Sequence, residues 1–73
     1  MTPEQVNRAV DAIALPDGDG FHVRVYTRGG HVFQGGIHNA SDGMVRLDQP
    51  YGNNDPIPAM VACADIVAVD RVP

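Results

Sequence analysis

The chain has 73 residues, five arginines and no lysine, nine carboxylates and a formal charge of −4. That length suits one small domain, which hides only roughly 60% of the surface its unfolded chain exposes, so a partner subunit would add stability. A net acidic surface does not attract phosphate backbones as a whole; the single Cys63 excludes an internal disulfide framework; and no signal pattern or long apolar run is present, so a cytoplasmic location is expected.

Residues from about Thr2 to Leu15 read as a helix. Thr2 suits the N-cap, Pro3 the first helical position, and Gln5 completes a capping box. Val6, Val10 and Ile13, with Ala9 beside them, form one apolar stripe expected to pack on a barrel end. Pro16 stops the helix. Asp17-Gly18-Asp19-Gly20 offers two carboxylates but lacks the downstream ligands of a calcium loop, the closing glutamate included. It reads as a connector.

From Phe21 onward the pattern changes to period two, the period of a strand. Strand one covers about Phe21 to Thr27, with Phe21, Val23 and Val25 on one face and His22, Arg24 and Tyr26 on the other. Arg28-Gly29-Gly30-His31 makes a hairpin. Strand two covers about Val32 to Asn39, with Phe33, Gly35 and Ile37 inward and Val32, Gln34, Gly36 and His38 outward. Gly35 and Gly36 in mid-strand predict the strong bend that barrel closure needs. Ser41-Asp42-Gly43 is a second turn. Strand three covers Met44 to about Asp48, with Val45 and Leu47 inward. Gln49 to Pro56 reads as a polar loop. Ile57 to Cys63 and Ile66 to Val72 read as two further strands, joined by the short Ala64-Asp65 link. The expected fold is mainly β: one domain over 1–73, with a helix at 2–15 followed by a five-stranded, strongly bent antiparallel SH3-like small barrel at 21–72.

This pattern resembles the Sm-like superfamily, and within it the bacterial Hfq family. Val23 to Leu47 matches that family's first motif without a gap. Val23, Val25 and Tyr26 meet its hydrophobic–x–hydrophobic–Tyr, Gly30 its turn glycine, and Gln34, Gly35 and Ile37 its Gln-Gly-x-Ile. Met60-Val61 and Ile66 to Val69 match the ends of the second motif. The centre of that motif differs: Ala62-Cys63-Ala64 stands where the family carries Tyr-Lys-His, or Arg-Gly in its archaeal and eukaryotic relatives. Ser41, followed by Asp42, stands where the first motif carries Asp. Alanine and cysteine supply no cation and no strong donor, so the uridine-binding pore site is expected to be lost. The helix has only Arg8 in place of the family's arginine cluster.

The resemblance implies a third RNA surface, the distal face, on which Tyr26, Gly30 and Gln34 take purine-rich strands. An exposed aromatic ring stacks a base at about 1–3 kcal/mol, and a glutamine reads a base edge. Arg24 and Arg28 are expected to add local positive charge, whereas Val32 replaces a family lysine. The resemblance also implies a homo-oligomeric ring, a hexamer in Hfq, closed by pairing between the fourth strand of one copy and the fifth of the next. Its candidate interface residues are Ala59, Met60, Val61, Cys63, Ile66, Val67 and Val69. Both borders are almost uncharged, and a bare uncharged edge invites aggregation unless it is paired.

No catalytic constellation stands out, so binding or assembly is expected and an enzyme is not. His22 and His38 share the outer side with no third ligand evident, and neither a metal nor another cofactor is expected. Cys63 reads as a small buried apolar residue. Three functions compete: a ring that binds single-stranded RNA, a ring scaffold for proteins without RNA, and a peptide-binding barrel that forms no ring. The first is the expected function and the second its alternative, which the acidic balance and Ala62-Cys63-Ala64 favour; the lack of an aromatic-rich groove counts against the third.

Overall fold

The computed structural model describes residues 1–14, 21–51 and 54–72. Its elements are helix α1 (Pro3–Ile13), strands β1 (His22–Thr27), β2 (Val32–Ile37), β3 (Met44–Tyr51) and β4 (Asn54–Ala62), a 3₁₀ turn (Cys63–Asp65) and β5 (Ile66–Arg71). The strands form one antiparallel sheet in the order β4-β3-β2-β1-β5. β4 and β5 do not pair with each other, so the expected closure into a barrel is not reached within one chain.

The capping box forms as predicted, with Gln5 N–H on the Thr2 hydroxyl at 3.1 Å and Thr2 N–H on Gln5 Oε1 at 2.9 Å. α1 packs on β5. Val6 is fully buried, and Val10 and Ile13 pack against the core from the same stripe. The last turn of α1 carries no basic residue. Arg71 of β5 supplies one by donating to the Ile13 carbonyl at 3.3 Å, where a cation suits the partial negative charge of a helix C-terminus. Leu15, Pro16 and the Asp17–Gly20 connector lie outside the described residues.

The core consists of Val6, Val23, Val25, Val45, Leu47, Val61, Cys63 and Ile66, drawn from α1, β1, β3, β4, the 3₁₀ turn and β5. The inward and outward assignments of β1 and β3 hold. On β2 the main inward feature is Gly35, which is buried. A Cβ there would collide with the backbone oxygen of Asp48. Only a residue without a side chain lets the two strands approach this closely. At Gly36 nothing lies within 4 Å of a Cβ, so the close approach belongs to Gly35 alone.

β2 pairs with β1 from Val32 to Gly36, but with β3 only at Gly36 and Ile37. The β2–β3 ladder is therefore short, and the close approach at Gly35 lies at its edge. Asp42 (φ 52°) and Gly43 (φ 75°) form the β2–β3 turn, with Ser41 and Met44 exchanging backbone hydrogen bonds at 2.9 Å. Two positive φ values in succession are the signature of the type I′ hairpin.

The expected Gln49–Pro56 loop is a correction. Pairing of β3 with β4 runs from Met44↔Ala62 to Gln49↔Ile57 and, after an irregularity, to Tyr51↔Asn54. Prolines made this stretch look like a loop. Pro50, however, lies beyond the reach of β2, and Pro58 sits on the outermost strand. At both places a missing N–H costs no ladder bond on the far side. Cys63 belongs to the 3₁₀ turn and not to β4, and β5 ends at Arg71 rather than Val72. Among the described residues no helix is long and apolar enough to cross a membrane.

Candidate binding face

The outer face of β2, β1 and β5 brings together three of the five candidate contact residues. Antiparallel register places Gln34, Arg24 and Asp70 in one row across the sheet, and Val32, Tyr26 and Ala68 in the next. Gln34 is exposed, and Arg24 and Tyr26 are half-buried. Val32, at 53% exposure, leaves an apolar surface beside the Tyr26 ring.

Asp70 ties this face together. Arg24 donates Nε to Asp70 Oδ1 at 2.9 Å and Nη2 to Oδ2 at 3.2 Å, a bidentate pair. The Tyr26 hydroxyl donates to the same Oδ2 at 3.0 Å. Tyr26 reaches Asp70 as its diagonal neighbour, two residues along β5 from its direct partner Ala68, a distance that long side chains span. The Arg24 hydrogen bond holds the Asp70 carboxyl below its ordinary range against the opposing effect of desolvation, and Tyr26 adds to it. Conversely, the bond to Asp70 pushes the Tyr26 hydroxyl up.

Arg24 therefore does not lend the face free positive charge, contrary to the sequence expectation. Arg28 does stand in the β1–β2 hairpin with an exposed side chain. Its backbone N–H donates to the Asp65 carbonyl at 2.9 Å, which ties the hairpin to the 3₁₀ turn. Gly30 takes φ 84° in that hairpin and donates its N–H to Thr27 O at 3.0 Å. The hairpin is closed further by Thr27 N–H on His31 O at 3.0 Å, with the Thr27 hydroxyl accepting from His31 N–H at 3.2 Å. Beneath it lies a cleft of about 330 Å³ between Thr27, His31 and Phe33 on one side and Met60, Ala62 and Asp65 on the other.

A second polar cluster occupies the outer side of β3. His38 Nε2 lies 2.8 Å from Asp48 Oδ2, and Arg46 Nε donates to Asp48 Oδ1 at 3.0 Å. The contact with His38 is the main reason that the Asp48 carboxyl is held low. His38 is thus placed with Asp48 rather than with His22, and among the described residues no three ligand-type side chains converge on a metal position.

The interface candidates divide by burial. Met60 and Val67 are 60% and 54% exposed, and Ala59 and Val69 are intermediate. The Val61, Cys63 and Ile66 side chains are in the core, so at an edge they offer backbone groups only. Val67 is the extra residue of a bulge, since Tyr26 pairs with Ala68 and Thr27 with Ile66. Asp70 is the residue that sequence reasoning missed. Alternation along β5 marks it as outward, but only the β1–β5 register sets it opposite Arg24. Comparison of the chain with protein-family models, with characterised proteins and with solved structures returns no match.

Proposed function

We propose that this protein is a non-enzymatic, Sm-like ring-forming module that binds single-stranded, purine-rich RNA on the face carrying Tyr26 and Gln34. The observation that carries this reading is that Gln34 and Tyr26 face outward in adjacent rows of β2 and β1, on a sheet whose two outer strands are both left open. Tyr26 offers a ring for base stacking. Gln34 offers an amide for a base edge. Among the described residues no strand pairs with the outer edge of β4, nor with that of β5, where the Ile66 carbonyl accepts from the Met1 ammonium at 2.8 Å, so copies can join head to tail along the remainder. A head-to-tail contact closes into a ring when its rotation fits. Ala62, Cys63 and Ala64 at the corner supply no uridine site.

The second reading, a ring scaffold for proteins without RNA, draws on the pairing of Arg24 with Asp70, which removes a cation from the face. Fluorescence anisotropy with labelled oligo(A) and oligo(U) separates the two. Binding to oligo(A), weak or absent binding to oligo(U), and a loss of about 1–3 kcal/mol in Tyr26→Ala from the missing stacking platform are the expected results. No binding to either oligonucleotide removes the RNA function and leaves the scaffold. Oligo(A) binding untouched by Tyr26→Ala places the site elsewhere.

A further inference from the structure

On this face the charge balance says what kind of contact a bound strand makes. Among the described residues, Arg24 is held on both Asp70 oxygens. Arg46 is held on Asp48, whose other oxygen meets His38. Arg71 is turned to the end of α1 at the Ile13 carbonyl, and Arg8 pairs with Glu4 on the helix. That leaves Arg28, exposed in the hairpin next to Tyr26 and Gly30, to meet a phosphate.

We infer that Asp70 is a positioning residue that makes this face take nucleic acid by its bases and leave the phosphates in solvent, because one carboxylate both pins the Tyr26 hydroxyl and cancels the Arg24 charge. The inference rests on the RNA-binding reading above and specifies it. The Nε–Nη2 fork of Arg24 is engaged and its charge is balanced by the carboxylate, so the pair as a whole attracts a phosphate far less than a free guanidinium does. Asp70 itself faces the strand as a partly exposed anion, at 46% side-chain exposure, and repels a backbone laid directly over it. Bases stacked on Tyr26 and bonded to Gln34 meet neither obstacle.

The consequence is a shallow salt dependence. Each phosphate contact on a single strand steepens the plot of log affinity against log salt by about 0.7. With Arg28 as the available cation, the slope of the wild-type protein is expected at or below about 0.7 per copy bound. Asp70→Asn releases Arg24 while preserving side-chain shape, so its slope rises by about 0.7 and its affinity for oligo(A) increases at low salt. Adding Arg24→Gln to Asp70→Asn returns the slope to the wild-type value. Arg24→Gln alone leaves the slope unchanged, which decides the matter even if Asp70→Asn folds poorly. A purely structural role for Asp70 would instead weaken binding by the same factor at every salt concentration.

The experiment is anisotropy of a short labelled oligo(A) with the full chain and the three variants across a salt series, with melting curves to establish that each is folded. A wild-type slope well above that of one phosphate per copy, or a slope that falls in Arg24→Gln, overturns the inference while the RNA reading stands. If neither the wild type nor any folded variant binds oligo(A) at any salt, both fall together.

Discussion

At the scale of single residues, two aspartates govern how the outer face responds to pH. Asp70 is held low chiefly by Arg24, and Asp48 chiefly by His38. In the unfolded chain both return to an ordinary value near 3.8. Between the folded and unfolded values the unfolded chain binds more protons, so stability rises with pH across that window. The contribution is fully present above about pH 4 and is lost as pH falls through the depressed folded values. Both groups are partly exposed, and solvent screening keeps the effect modest. Thermal melts followed by circular dichroism on acidification below pH 4 are expected to show a falling midpoint. Asp70→Asn should show a smaller fall, because it has no proton to take up there. Arg24 and Asp70 are 46 positions apart. Neither residue's local sequence names the other, which is why alternation found the outward Arg24 and Tyr26 but not the group that holds them.

At the scale of elements, the close approach of β3 to β2 depends on one glycine. A methyl group at Gly35 meets the backbone oxygen of Asp48, which cannot rotate away, whereas one at Gly36 enters open space. Gly35→Ala is therefore expected to destabilise by about 1–3 kcal/mol or more, the range for forcing extra volume into a packed site. Gly36→Ala is expected to be neutral or to stabilise by up to about 1 kcal/mol through a less flexible unfolded chain. Urea denaturation of the two variants distinguishes them, and equal effects would contradict this assignment. The helix, its capping box and the places of all five strands were legible because local signals agree with the tertiary arrangement. The long β3–β4 hairpin was not, because Pro50, Pro58 and the intervening Gly and Asn carry loop chemistry. The tolerance of the two prolines depends on β2 ending early and on β4 being outermost, and both are long-range facts.

At the scale of the whole molecule, the sheet ends on two unpaired strands. β4 exposes Ile57 and Met60, and β5 exposes Val67. No Lys or Pro guards β5, and such residues are the usual protection of a bare edge. Light scattering at micromolar concentration is expected to give a mass several times 7.8 kDa. Val72 N–H bonds to His22 O, so alternation turns the N–H of Val69 away from β1 to the open edge. Val69→Pro should shift the mass toward the monomer by removing that edge donor and adding a ring that obstructs pairing. A wild-type protein that stays at one chain's mass under these conditions removes the ring.

The corner joining the two open strands holds the chain's lone thiol. Cys63 is 1% exposed; its N–H donates to Gly43 O at 2.8 Å, and its carbonyl accepts from the Met1 ammonium at 2.9 Å. A reagent reaches that sulfur only when the corner comes apart, so alkylation runs at the pace of local unfolding. The cysteine thus serves as a built-in clock. It needs no engineered label, and any contact that clamps the strands on either side of it slows the reaction.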